Sequence, residues 1–444
     1  MSLVGVEMVD SRGLAAVKTM ILVFLVLSVG IIGVVAFFLW SGKGPWIETI
    51  RIGICEDLDH IGGKDICQAA ILAAEQVNAE GGILGRQVEI VGEDDDSATP
   101  QTDKSVTISA LTRLITVDKA DYVITSQSVV IATFQDICSQ HKRVLFSTRS
   151  ALVELTQRVL SDYDNYKYFF RVMNPNVTML AYVYADSVLT LREYTGFNKI
   201  ALLIHDAGAL KDMGEELSEF LLVNDFEIVS KILIPLATFE FSSYLARIEE
   251  SGAEILFPLL AVADVGVTKE WYERQSPFVI WGVFGYAGDH NFYDITDGRG
   301  EFISCNSWPV VVGYPLTSRT VSAAESYLER WGEKMPSSQV AATYDIIRFI
   351  LPDAIKRAGT TEIEAVIKAL ENTDIETSLA RRFRFTSSHD VMVNLPSSNV
   401  QSQDYVVQCM FQWQNGTQVP VYPKTMMQEV GATYKYPPWS GPWD

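Results

Sequence analysis

The chain has 444 residues, with 35 Lys plus Arg against 55 Asp plus Glu and a formal charge of −20. That length exceeds one ordinary domain and suits two, and that charge repels phosphate backbones, which excludes nucleic acid as a partner. Apolar residues at 48% and charged residues at 20% are the balance of a chain that buries a sizeable core, which excludes wholesale disorder.

After a flank over 1–18, Thr19 to Gly42 carry no charge, and Met20 to Trp40 are nearly all Leu, Val, Ile and Phe, long enough to cross a bilayer as a helix. The stretch runs into Ser41, Gly42 and Lys43 without a small-residue cleavage site, and the first cysteine, Cys55, comes too late for a lipid anchor. We expect an uncleaved single-pass anchor over 19–42 with an extracytoplasmic domain behind it. A buried core helix is the alternative, but ahead of the first domain it has nothing to be buried in. Arg12 and Lys18 before the span balance Lys43 and Arg51 after it, so charge does not orient it.

A linker over 43–49 leads to Ile50 to Cys55, an apolar run that predicts a strand. Ile66, Ala69, Ala70, Ala73, Ala74 and Val77 share one face of a helix predicted over Lys64 to Asn78, which stops at Gly81 and Gly82. A strand over Gln87 to Val91, a helix from Thr102 to Ile115, a strand at Tyr122 to Thr125, a helix around Thr133 to Gln140 and a strand at Val144 to Ser147 follow. Such alternation predicts a doubly wound parallel sheet. The order then restarts: Lys199 to His205 answers the first strand, Phe226 to Leu233 the second, Gly252 to Phe257 the third and Pro277 to Trp281 the fourth. The expectation is an α/β chain of two Rossmann-like lobes, 50–175 and 176–310, joined by a multi-crossover hinge. Helices over Ser322 to Lys334, Gln339 to Arg357 and Thr361 to Glu371, then strand-like Phe383 to Phe385 and Tyr405 to Trp413, make 311–425 a return to the first lobe, hinge and late strands. A Pro- and Trp-rich tail over 426–444 closes the chain as an irregular arm.

Catalytic and cofactor signatures are absent. The histidines His60, His141, His205, His290 and His389 are scattered, with no H-E-x-x-H, C-x-x-C or G-x-S-x-G, so neither metal, cofactor nor nucleophile is expected. Gly81 to Gly85 follows a helix and precedes a strand, the wrong order for a dinucleotide loop. Glu93 to Asp96 is followed by Ser97, Thr99 and Pro100 and is expected to be a solvated turn. Five cysteines are too few for a disulfide framework and leave one unpaired, and the sequons at Asn176 and Asn415 point only weakly outside the cell.

The informative positions are the loops at the carboxyl ends of the strands, where open α/β sheets bind ligands. These are Glu56 to His60, including Asp59 and His60, then Ser126 to Ser128, and Thr148, Arg149, Ser150 and Ala151. Small hydroxyl residues leave backbone N–H groups free, and a neighbouring arginine adds a planar bidentate donor, together a receptor for a carboxylate. The alternative is helix capping by Ser128 and Ser150, with Arg149 in solvent or against Asp206.

The stretch Val77 to Ile90 (VNAEGGILGRQVEI) resembles the helix-turn-strand signature of type I periplasmic binding proteins, the branched-chain amino acid branch above all. Asp94-Asp95 with Pro100, Tyr122 to Ile124, Glu154 to Thr156, Tyr344-Asp345 and Phe383 to Phe385 extend the resemblance from Ile50 to about Tyr422. It implies two lobes joined by three crossovers that close on a small-molecule ligand for an ABC transporter permease, without enzymatic activity. The family's head-group serine matches Ser128, and its next loop matches Arg149, Ser150 and Ala151. Its second-lobe tyrosine falls on Met213, and the positions that hold the ammonium fall near Ala261 and Phe284, with Tyr286 beside them. None of these is acidic, so an ammonium would need Asp57, Asp59 or Asp264, and the expected ligand pairs a carboxylate with an apolar or aromatic body. A ligand-sensing regulatory domain of the same fold is the competing function, and an α/β enzyme stands third.

Overall fold

The structure is a computed structural model and describes residues 49–97, 103–394 and 404–440. The expected anchor at 19–42 lies outside those residues, and no helix among them is long and apolar enough to cross a membrane.

The first sheet holds β1 (Ile50–Glu56), β2 (Val88–Asp94), β3 (Tyr122–Thr125), β4 (Val144–Ser147) and β5 (Phe169–Arg171) in the order β2-β1-β3-β4-β5. Every pairing is parallel, because each connection carries a helix back across a face. Both faces are therefore covered, which is why β1 reads as continuous apolar sequence. Ile50, Ile52 and Ile54 enter one core, and Cys55 enters the other. The helix Ile61–Ala79 begins three residues earlier than its apolar stripe suggests, since His60 caps it, with Nδ1 accepting from the Gly62 N–H. It ends where Gly81 and Gly82 turn left-handed, and a Cβ on Gly82 would lie 2.1 Å from the Arg86 carbonyl oxygen.

The second sheet comprises β6 (Lys199–His205), β7 (Glu227–Ile234), β8 (Ile255–Leu259), β9 (Val279–Gly282), β10 (Ser304–Ser307), β11 (Cys409–Gln414) and β12 (Thr417–Tyr422), ordered β12-β11-β10-β9-β8-β6-β7. Strands β6 to β10 repeat the first sheet strand for strand and are parallel, while β11 and β12 add an antiparallel hairpin to its edge. The late run at Tyr405 to Trp413 is thus a strand only from Cys409, and Phe383 to Phe385 makes isolated bridges to Ile375 and Val391 instead of a strand.

Three crossovers join the lobes. The chain leaves β5 for the helix Val177–Thr195 in the second lobe's core, and returns after β10 through Trp308, Val310 and Val311, which lie in the first lobe's core. The helices Ser318–Trp331, Ser338–Asp345, Leu351–Ala358 and Ile363–Glu371 complete the first lobe, with a π-helical turn at Ile346–Ile350 inside the stretch expected as one helix. Val406 still packs in the first lobe, while Cys409 opens β11 in the second. Since β5 and β10 both lead into crossovers, the carboxyl ends of the two sheets face one another. Ala151 and Val153, just past β4, touch the second lobe's core.

A buried polar knot ties this hinge. Arg171 at the end of β5 is fully buried, and its Nη1 donates to Asp390 Oδ2 at 2.8 Å. Asn176 Nδ2 donates to the same oxygen at 2.8 Å, while its own Oδ1 caps the helix Val177–Thr195. The Asn176 sequon is therefore occupied by structural bonds at both ends of the amide. At the opposite end of the second lobe, Tyr434 stacks near Tyr194 and Trp281, and Trp439 meets Trp271 and Tyr272.

Candidate ligand-binding cleft

On the first-lobe wall, the loop after β3 is held by side chains of β1 and of the segment after β2. Ser126 donates its backbone N–H and its hydroxyl to Glu56, the latter at 2.7 Å. Burial pushes the Glu56 carboxyl up to about 8, further raised by Asp95 and offset by the Ser126 bonds and by the Arg149 charge. Gln127 Nε2 donates to Asp95 Oδ2 at 3.2 Å, and its Oε1 accepts from Ser128 N–H. Asp95 is wholly buried and also accepts from Ser97 N–H, so one carboxylate of the acidic run expected to be solvated is knitted into the wall, while Asp94 and Asp96 are exposed and Glu93 pairs with Arg113 at 2.8 Å. Spacing alone missed this, because alternate carboxylates of a strand end point to opposite sides.

After β4 the wall offers unmet donors. Arg149 is exposed, and its guanidinium makes no ion pair among the described residues; Asp206, its proposed alternative partner, pairs with Lys211 at 3.6 Å. Ser150 is 1% exposed and its hydroxyl has no partner among the described residues, so it does not cap a helix. Ser128, in the loop after β3, is exposed. Asp59 and His60 lie exposed at the start of the helix Ile61–Ala79, where His60 serves as the cap. Ala151 is half-buried and turns to the second lobe, its carbonyl accepting from Val177 N–H at 2.9 Å.

The second-lobe wall is braced in the same manner. His205, the last residue of β6, is fully buried, and its Nδ1 accepts from Ala261 N–H at 3.0 Å. Burial holds its imidazole neutral by lowering its pKa. An N–H pointing at Nδ1 leaves the proton on Nε2, and that donor has no partner among the described residues. Asp264 Oδ2 accepts from the Tyr286 and Ala287 N–H groups, and burial pushes this carboxyl up to about 6. Asn306 Oδ1 accepts from Phe284 N–H at 3.0 Å. Gly285 packs so close that a Cβ would lie 2.1 Å from the Ala261 carbonyl oxygen.

The expected second-lobe contacts divide accordingly. Ala261 and Tyr286 are exposed on the wall. Met213 at 4% and Phe284 at 3% exposure instead fill the apolar cores on opposite faces of the sheet, which corrects the expectation that their side chains face a ligand. His205 is the polar residue that the sequence reading passed over, and Glu56 entered it only as the start of the loop Glu56 to His60. The signal was present, since His205 follows Glu56 by 149 residues, the offset that separates Lys199 from Ile50. Elsewhere, a cavity of about 900 Å3 opens on the first lobe's flank, lined by Gln76, Tyr344, Arg348 and Phe349 among others. None of the strand-end loops contributes to it, and its Arg348 is already paired with Glu80.

Comparison with known proteins agrees with this architecture. Residues 49–268 match the family described as "Periplasmic binding protein". Over those residues the chain belongs to the periplasmic binding protein family. Among curated relatives, the Leu/Ile/Val-binding protein homolog 7 of Brucella abortus (strain 2308) is 23% identical over 398 residues, covering 87% of this chain and 94% of the relative. A solved structure from Silicibacter pomeroyi superposes with a TM-score of 0.77 at 18% identity, covering 88% of this family member and all of that chain. An R. palustris ABC transporter solute binding protein in complex with benzoate gives a TM-score of 0.66 at 16% identity, over 84% of this chain and 95% of that one. LivJ of Streptococcus pneumoniae in complex with isoleucine also gives 0.66, at 18% identity, over 84% and 98%.

Proposed function

We propose that this chain is a membrane-anchored, extracytoplasmic solute-binding protein that closes its two lobes on a small carboxylate and delivers it to an ABC permease. The observation that carries the ligand class is the pairing of Arg149, an exposed guanidinium without an ion pair, with Ser150, a buried hydroxyl without a partner, at the carboxyl end of β4. A guanidinium presents a fork that fits a carboxylate, and a nearby hydroxyl completes the acceptor site. Glu56, the buried carboxyl of the first-lobe wall, does not offer a counter-charge for an ammonium. Glu56 is bonded to Ser126 and held largely protonated at neutral pH, and Asp264 is bonded to two backbone N–H groups. Of the two liganded relatives, the benzoate complex therefore supplies the nearer chemistry, an acid without an ammonium, and the isoleucine complex the more distant one. The anchor at 19–42 and the permease partner belong to the same reading. A thermal-shift screen of the protein against amino acids, organic acids and amides tests it. Organic acids should raise the melting temperature, whereas stabilisation by leucine or isoleucine alone would reject the ligand class.

A further inference from the structure

The two lobes repeat one device at equivalent places and complete it in only one of them. Strands β1 and β6 hold the same position in their sheets, and each ends in a buried polar residue, Glu56 or His205. Each bonds the loop after the next strand of the sheet, Glu56 to Ser126 after β3 and His205 to Ala261 after β8. In the first lobe both carboxyl oxygens accept from Ser126. In the second lobe only Nδ1 is used, and the Nε2–H is left buried without an acceptor among the described residues.

A buried donor without an acceptor is costly, and a purely structural role does not explain it. The residues around His205 in the wall are open: Ala261 and Gly285 are exposed, and Tyr286 retains 49% of its exposure. Across the cleft, the Ser150 hydroxyl is the corresponding unmet group. We infer that His205 is the second lobe's polar anchor, with Nδ1 fixed by Ala261 and Nε2–H presented to an acceptor atom of the carboxylate that Arg149 and Ser150 engage from the first lobe. This rests on the carboxylate reading above. It gives the closed state a bond from each lobe to one ligand, which is the differential affinity a ligand needs to shift two lobes toward closure.

The test uses the full chain in detergent with benzoate, phenylacetate and isovalerate as probes. His205→Asn keeps the acceptor for Ala261 and removes the donor from the Nε2 position, its amide N–H groups reaching only as far as the ring's Cδ2, so its melting temperature should stay near wild type while affinity for the bound carboxylate falls roughly tenfold or more. In wild type, the imidazole Nε2–H resonance should shift on adding that carboxylate, a readout that needs no variant to fold. Wild-type binding with an unmoved resonance, or with His205→Asn equal in affinity, overturns the anchor role and leaves the carboxylate reading standing. Failure of wild type to bind any of the three acids overturns both.

Discussion

Glu56→Gln is the perturbation whose magnitude can be worked most fully. The Glu56 carboxyl titrates at about 8 in the folded protein against a usual 4.5, chiefly because it is buried. Between those values the unfolded chain has lost this proton and the folded one keeps it, so the folded state binds more protons and stability falls as pH rises. The contribution is complete below pH 4.5 and is lost progressively as pH climbs toward 8. At 1.36 kcal/mol per pH unit, the wild type should lose roughly 3–4 kcal/mol from this residue between pH 5 and pH 8. Glutamine keeps an acceptor for Ser126 N–H and has no proton to lose. Urea denaturation of both proteins at pH 5 and pH 8 measures the difference directly. The variant should gain on the wild type by that amount at the higher pH, and parallel stability profiles would refute the argument that Glu56 is buried and protonated.

Replacing Arg149 by alanine should weaken carboxylate binding by about ten- to a hundredfold, the loss of one charge-assisted contact, and leave the melting temperature unchanged. Calorimetric titration beside a thermal melt separates the two. Asp390→Ala leaves the Arg171 guanidinium buried without its counter-charge and should destabilise the fold by about 3–5 kcal/mol, read by chemical denaturation. Phe284→Ala empties a core position and should cost about 3–5 kcal/mol of stability, with no selective effect on apolar ligands in a binding panel. Gly285→Ala forces the added methyl against the Ala261 carbonyl oxygen, so the wall must shift and carboxylate affinity should fall more than stability does.

The fold was legible because helices between apolar strands leave the chain one way to pair them. Tyr122–Thr125, Val144–Ser147 and Lys199–His205 have the bounds their apolar runs imply. Phe169–Arg171 and Ser304–Ser307 escaped detection, being three and four residues long, the latter polar and paired with β11 from a segment about a hundred residues later. The site was half legible. Residue type marks Arg149 and Ser150 as donors, and their lack of partners is a matter of three-dimensional surroundings. Met213 and Phe284 misled because position in an aligned motif says where a backbone lies, while burial depends on which face of the sheet the side chain enters. Asp95 misled because a carboxylate in an acidic run looks solvated until Gln127, brought in by the fold, is found bonded to it.

The central claim is that the cleft receives a carboxylate through Arg149. Calorimetric titration of benzoate, phenylacetate and isovalerate against their amides, into wild type and Arg149→Ala, tests it most directly. The account predicts that wild type binds at least one acid, rejects the matching amide and loses that preference with Arg149. Equal binding of acid and amide, or an acid preference that survives the loss of Arg149, would contradict it.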